Sequence, residues 1–192
     1  MLVVNLFAGA GAGKSTMAAG LFYNLKMKGI TCEYATEYAK DCVWENRKDI
    51  FSDQLYIIAK QNRKLIRLKD KVECVITDSP LVLGLNYRTP NDYLPSSFEP
   101  MVMDLFNSYN NLNFFVIRKK EYNPVGRNET KEQAEEMDKK IFDFLYSKEI
   151  LFWEVDGNKD GLKAISGSFP VEKGWCCCKI NFFSFTIWYL TE

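Results

Sequence analysis

Nine residues near the start of the chain, Ala8-Gly9-Ala10-Gly11-Ala12-Gly13-Lys14-Ser15-Thr16, contain nothing larger than alanine before the lysine. An apolar run, Leu2–Phe7 with only Asn5 polar, leads into them. An amphipathic run over 14–28 leads out, with Ala18, Leu21, Phe22 and Leu25 on one helical face and Gly29 placed as its stop. A glycine-rich turn between a buried strand and a helix start points its N–H groups inward, and the helix adds its positive end. Such a loop cradles phosphate oxygens. Lys14 reaches the terminal phosphates of a nucleoside triphosphate, and the Ser15 hydroxyl can bind Mg²⁺. The expected ATP-binding residues are therefore Gly9, Ala10, Gly11, Ala12, Gly13, Lys14, Ser15 and Thr16, with Ala8 standing where the first glycine is usual. The competing reading is a Gly/Ala-rich turn with an incidental lysine.

The rest of the chain repeats the theme of short apolar runs alternating with longer amphipathic ones, the pattern of a parallel sheet flanked by helices. Strands are expected at 2–7, 30–35, 72–77, 114–117 and 150–155. Helices are expected at 14–28, at 52–68 with Leu55, Ile58 and Leu65 inward, at 98–110 and at 130–146. Thr130 followed by Gln133 reads as a capping box opening the last of these. Residues 80–100, rich in Pro, Asn, Ser and Tyr, read as a long loop, a length uncommon without a function. The expectation is thus an α/β three-layer sandwich with a mostly parallel five-stranded sheet. Residues 1–165 form its domain, and 166–192 form an atypical Cys- and aromatic-rich tail with no assigned role.

Composition narrows the chemistry. The chain has no histidine, which excludes Ser-His-Asp, Cys-His and His-ligated metal sites. Lys+Arg and Asp+Glu both number 25, so no global field draws nucleic acid or an anionic membrane, and any phosphate site must be local. Cys32, Cys42 and Cys74 sit singly in apolar or helical contexts, as buried reduced thiols do; Cys176, Cys177 and Cys178 are consecutive, unlike zinc knuckles. No signal peptide opens the chain and no apolar run reaches membrane-spanning length, so a cytoplasmic protein is expected.

A base must then be a carboxylate, lysine, tyrosine or water. Asp78, ending the third strand before Ser79-Pro80, lies where ligands bind in open α/β sheets. It suits a Mg²⁺ contact or proton abstraction from a substrate hydroxyl; otherwise it caps the next turn. Beyond strand two, Glu37 or Glu33 is a candidate hydroxyl partner and Tyr34 or Tyr38 a candidate platform for a flat base. Gln54 and Gln61 share one helical face, either reading an amide or base edge or facing solvent. Residues 119–129 read as a lid that closes over the transferring phosphate, with Arg118 and Arg127 offering planar contacts to its oxygens. The alternative is a solvated charge run. Asp156-Gly157, after the last strand, is a weak candidate for contact with the nucleotide base.

With these residues placed, residues 1–165 resemble small P-loop kinases, in particular NadR-type ribosylnicotinamide kinase-like AAA ATPases. The resemblance rests on the loop at 8–16, on Glu33-Tyr34 and Glu37-Tyr38, on Asp78-Ser79-Pro80 and on the arginine-bearing lid. This chain carries Thr36 where members often carry arginine. The resemblance implies a P-loop NTPase, nucleoside/nucleotide-kinase-like, with a short lid. It implies transfer of the γ-phosphate of ATP, with Mg²⁺, to a nucleoside-, nucleotide- or nicotinamide-riboside-like hydroxyl. ATPases of this kind occur in phages, where a tail such as 166–192 is not out of place. On this reading Lys14, Asp78, Glu37, Arg118 and Arg127 are catalytic and Ser15 and Asp78 hold the metal. The protein is a monomer or homodimer with no nucleic-acid or membrane partner. The alternatives are a regulatory nucleotide-binding ATPase without a small-molecule acceptor and, behind it, a translocating or DNA-acting ATPase.

Overall fold

The computed structural model describes residues 1–88, 93–123, 125 and 129–169. Arg127 and the cysteines at 176–178 lie outside the described residues. Strands β1 (Leu2–Phe7), β2 (Cys32–Ala35), β3 (Cys74–Thr77), β4 (Asn110–Ile117) and β5 (Trp153–Asp156) form one sheet in the order β2-β3-β1-β4-β5. Every pairing is parallel. A sheet of this kind must be covered on both faces, and β1 shows how. Leu2, Val4 and Leu6 pack toward α1 (Lys14–Met27) and α6 (Lys159–Ser168), while Val3 and Phe7 pack toward α3 (Gln54–Ile66), α4 (Phe98–Asn107) and α5 (Lys131–Ser147). The expected three-layer α/β sandwich is the observed one.

Several boundaries moved for physical reasons. Strand β4 begins four residues earlier than its apolar run suggests, because its asparagines have partners inside the sheet. Asn5 Nδ2 donates to Oδ1 of Asn111 and of Asn113, each at 2.9 Å. Their own amides donate to the carbonyls of Phe106, Tyr109 and Leu151, so the buried polar groups are satisfied. Strand β3 starts at Cys74 rather than 72, and β5 at Trp153 rather than 150. A short helix, α2 (Tyr38–Trp44), occupies a stretch expected to trail off strand two.

Two corrections bear on the site. In α3 the inward positions are Gln54, Ile57, Ile58, Gln61 and Leu65, so Leu55 points outward, 46% exposed. The expected long loop at 80–100 is not structureless: Leu81–Tyr87 forms a 3-10 turn whose Leu81, Val82, Leu83 and Leu85 are buried among α3, α4 and the sheet. Elsewhere expectation and structure agree. The capping box is formed, with the Thr130 N–H donating to Gln133 Oε1 at 2.8 Å and the Gln133 N–H to Thr130 Oγ1 at 3.3 Å. Cys32, Cys42 and Cys74 are buried thiols. Helix α6, absent from the sequence expectation, is capped by Asn158 and runs past the expected boundary at 165 to Ser168. Beyond it Phe169 is buried against α1, and Lys28 Nζ donates to the Ser166 and Phe169 carbonyls.

Candidate active site

The loop after β1 has the backbone its glycines predict. Gly11 and Gly13 sit at φ +80° and +105°, a region that a side chain disfavours. Gly13 is the N-cap of α1 with no side-chain cap, so the first N–H groups of that helix stay open to an anion. Lys14 is buried, and its ammonium donates to the carbonyls of Ala8 (2.7 Å) and Gly9 (2.9 Å). A cavity of about 410 Å³ opens here, lined by Ala10, Gly11, Gly13, Lys14, Ser15 and Thr16. Gly9 and Ala12 do not line it. Gly9 lies against α5, and the Ala12 carbonyl abuts Gly157 of the β5–α6 connection.

The same cavity has a second wall beyond the loop. Glu37, at the start of α2, lines it. Beyond it lie Phe51, Gln54, Ile58, Leu83 and Tyr87. Four separate stretches supply this wall: the start of α2, a 3-10 turn at Lys48–Ser52, α3 and the turn at Leu81–Tyr87. Burial pushes the Glu37 carboxyl up from the ordinary glutamate value; Lys14 pulls it back, while Asp78 and Glu129 push it further up. The Tyr87 phenol is likewise pushed up by its burial, with Glu129 and Glu37 adding to the effect.

The two glutamines face inward, not to solvent, at 4% (Gln54) and 2% (Gln61) exposure. Gln61 is occupied at both ends: its Nε2 donates to Thr77 Oγ1 at 3.2 Å, and its Oε1 accepts the Tyr38 N–H at 3.1 Å. Gln54 donates Nε2 to the Phe51 carbonyl, leaving Oε1 on the cavity side beside Gly84. Glu33 is on the outer side of β2, paired with Lys26 at 3.4 Å, and does not reach the cavity. Tyr38 does not line it either; its ring packs edge-on against Tyr56 at 5.9 Å with Lys60 and Lys64 alongside.

Asp78 is 1% exposed at the end of β3, and it does not cap the following turn. The Ser79 N–H goes instead to Thr77 Oγ1 at 3.1 Å. Asp78 Oδ2 accepts the Tyr34 hydroxyl at 2.7 Å, and Ser15 is close enough to that phenol to favour its ionised form slightly. Tyr34 thus holds one of the two expected metal ligands, a role its sequence context does not signal. Burial, followed by the Asp78 charge, pushes its phenol well up, which keeps it a proton donor. Asp78 Oδ1 is buried and has no hydrogen-bond partner among the described residues. An unpartnered, buried carboxyl oxygen in that position fits a cation carried by a bound nucleotide. Among the described residues no group of three or more acidic or cysteine side chains forms a cage of its own.

On the other side of the loop, Arg118 follows directly on β4 and pairs with Asp138 of α5 at 2.8 Å, a partner not expected from the sequence. Within the expected lid, the Tyr122 hydroxyl donates to the Glu129 carbonyl, and Glu129 lines the cavity. Asp156 pairs with Lys119 at 3.3 Å, and Gly157 donates its N–H to the Ile117 carbonyl at 2.8 Å. The β5–α6 connection therefore braces the loop from outside the cavity. Among the described residues, no helix is long and apolar enough to cross a membrane.

No protein-family model matches the sequence. No curated protein sequence matches it either. Solved structures do match in three dimensions. A deoxyadenosine kinase from M. mycoides with bound dATP superposes with a TM-score of 0.52 at 19% identity, covering 86% of this chain and 97% of that one. A shikimate kinase from Bacteroides thetaiotaomicron gives a TM-score of 0.46 at 10% identity, over 86% of this chain and 94% of that one. The first likeness, together with the all-parallel sheet and the loop between β1 and α1, shows the fold of the P-loop nucleoside and nucleotide kinases.

Proposed function

We propose that this protein is an ATP-dependent phosphotransferase that moves the γ-phosphate of ATP to a hydroxyl of a nucleoside-, nucleotide- or nicotinamide-riboside-like acceptor. The observation that carries the proposal is the continuity of the cavity. One space of about 410 Å³ is lined by the phosphate loop, by Glu37 and by a second wall, the proposed acceptor lobe, of Phe51, Gln54, Ile58 and Leu83. A triphosphate in the loop and a flat, partly apolar acceptor in the lobe would meet at Glu37.

In this reading the loop amides and Lys14 hold the phosphates, Lys14 leaving its two carbonyls as the terminal phosphate arrives. Ser15 and Asp78 would hold Mg²⁺, which offsets charge on the phosphate oxygens when bound. Tyr34 holds the Asp78 carboxyl in place. Glu37 accepts the proton of the acceptor hydroxyl as its oxygen bonds to the γ-phosphorus and the bond to the ADP oxygen breaks. A carboxyl raised above the ordinary range is better matched to that task near neutrality. Arg118 contributes charge beside the loop, and Arg127, in the proposed lid over 119–129, contributes charge on closure. The domain would run past the expected boundary at 165 to at least Phe169, whose side chain is part of the core, and would act as a monomer or homodimer in the cytoplasm.

The acceptor is found by incubating the protein with ATP and Mg²⁺ and a panel of nucleosides, deoxynucleosides, nucleotides and nicotinamide riboside, reading ADP. The resemblance to NadR-type kinases supports nicotinamide riboside in that panel. The likeness to a deoxyadenosine kinase supports the deoxynucleosides. An acceptor-dependent rise in ADP is the expected result. Hydrolysis that ignores every acceptor would overturn the transferase reading in favour of a nucleotide switch.

A further inference from the structure

Asp138, in the middle of α5, has no part in the phosphoryl-transfer scheme, yet its carboxylate is fully engaged under the loop. Oδ1 accepts the Gly9 backbone N–H at 2.5 Å. Oδ2 accepts both Nε and Nη2 of Arg118, at 2.9 and 2.8 Å. Nη2 also lies 3.4 Å from the Ala134 carbonyl, so one edge of the guanidinium fork is held against α5. The remaining nitrogen, Nη1, is buried and has no partner among the described residues. It faces Gly11: a Cβ built there would lie 3.1 Å from Nη1 and 2.8 Å from the Tyr122 ring. The start of the loop is pressed just as closely onto α5, where a Cβ on Gly9 would lie 2.5 Å from the Ala134 carbonyl.

We propose that Asp138 is a positioning residue for the phosphate loop: it locks the loop's first turn and the Arg118 fork into one frame, so that Nη1 is presented at Gly11 to a nucleotide phosphate oxygen. The proposal rests on the reading of the loop as a triphosphate site. Three considerations support it. A guanidinium clamped along one edge has its other nitrogen aimed, so less orientational freedom is lost when an anion binds. A buried N–H donor without a partner is costly, and an anionic oxygen at Gly11 would relieve it with a charge-assisted bond. Finally, both neighbours of the Asp138 carboxyl are donors, so only a group with two acceptor oxygens serves them together. An amide in its place offers one acceptor and one donor, and must release either Gly9 or Arg118.

The test is ATP binding by calorimetry, with melting temperature alongside, for wild type, D138N, R118K and the double variant. Lysine keeps the charge of Arg118 but cannot grip Asp138 while also reaching the loop. D138N and R118K should each weaken ATP binding roughly ten- to a hundredfold. The double variant should be no more than about twofold weaker than the worse single, because the two act through one arrangement. D138E, which retains two acceptors, should recover part of the affinity. If D138N does not fold, R118K carries the test alone, with the loss of affinity expected at a melting temperature near that of wild type. Affinities within about twofold of wild type, or losses that simply add, overturn the positioning role while leaving the triphosphate site intact. A wild-type protein that binds no ATP overturns that site, and this proposal with it.

Discussion

The phosphate end of the cavity is made of backbone held in place by side chains, whereas the acceptor end is made of side chains held in place by helices. At the first end, the loop's amides and the open start of α1 face the cavity, and Lys14, Asp138 and Gly157 pin that backbone from behind. At the second, Glu37, Phe51, Gln54 and Tyr87 come from four stretches that meet only in the folded chain. A backbone site recognises charge and tolerates little variation in shape. A site of side chains sets which molecule fits, and each residue can be changed without disturbing the frame. The two ends should therefore fail in different ways when altered.

The largest expected effect is at the backbone end. Lys14→Ala should lower ADP formation by ~10³-fold or more, as loss of a central phosphate-stabilising group does, while circular dichroism stays that of the wild type. Turnover near wild type would erase the distinction between the two ends. Asp78→Asn should cost roughly a hundredfold in kcat and far less in ATP affinity, because shape is kept while charge on the reacting phosphate goes unmatched; calorimetry and steady-state rates separate the two.

Glu37→Gln sharpens the comparison through pH. The raised native value means the carboxylate needed as base forms only above the ordinary glutamate range, so kcat should climb with pH through that raised value. Stability should run the other way. The folded state holds its proton more tightly than the unfolded one, so the contribution is full below the ordinary value and is lost as pH rises through the native one. In Glu37→Gln both dependences should flatten, in rate profiles and in melting curves taken across the same pH series.

At the side-chain end, Gly84→Val should raise the acceptor KM several-fold with ATP affinity unchanged. A Cβ at Gly84 would meet Ile58 Cδ1 at 2.8 Å and push that side chain into the lobe. Equal changes in both substrates would mean that the lobes are not separate. The smallest effect is Thr130→Ala, which removes one arm of the cap on α5 and should cost about 1 kcal/mol. That corresponds to roughly 2–4 °C in a thermal melt of a chain this size.

The same contrast decides what the sequence disclosed. The backbone end is written in nine contiguous residues, and every glycine there has the conformation or the close approach its lack of a side chain allows. The acceptor end is scattered, and its signals were individually weak. Gln54 and Gln61 sit on one face with Ile57 and Ile58, but glutamine is ordinarily a solvent residue, so the register of α3 was read from Leu55 instead. Leu81-Val82-Leu83-Gly84-Leu85 is an apolar run inside a stretch rich in Pro and Asn, and the surroundings outweighed it. Asp138 lies in Lys131–Ser147 among acids and lysines that are mostly exposed; nothing local marks it as the one that turns inward. Tyr34 is named from sequence only as a platform for a flat base; its hold on Asp78 becomes visible once β2 and β3 are paired.

The strand order carries a consequence for how the chain is made. β1 is the central strand, and it must wait for β3 on one side and β4 on the other: Asn5 pairs with Thr77, and Leu6 with Phe114. The bond that fixes the start of the loop arrives later still, since Gly9 and Asp138 are 129 positions apart. During synthesis the loop emerges well before α5 and is held in place only after most of the domain has left the ribosome. Contacts of such long reach slow folding, so nascent chains cut short before α5 would carry the complete motif without its architecture. Capture of nucleotide would then mark the moment at which the loop and α5 have found each other.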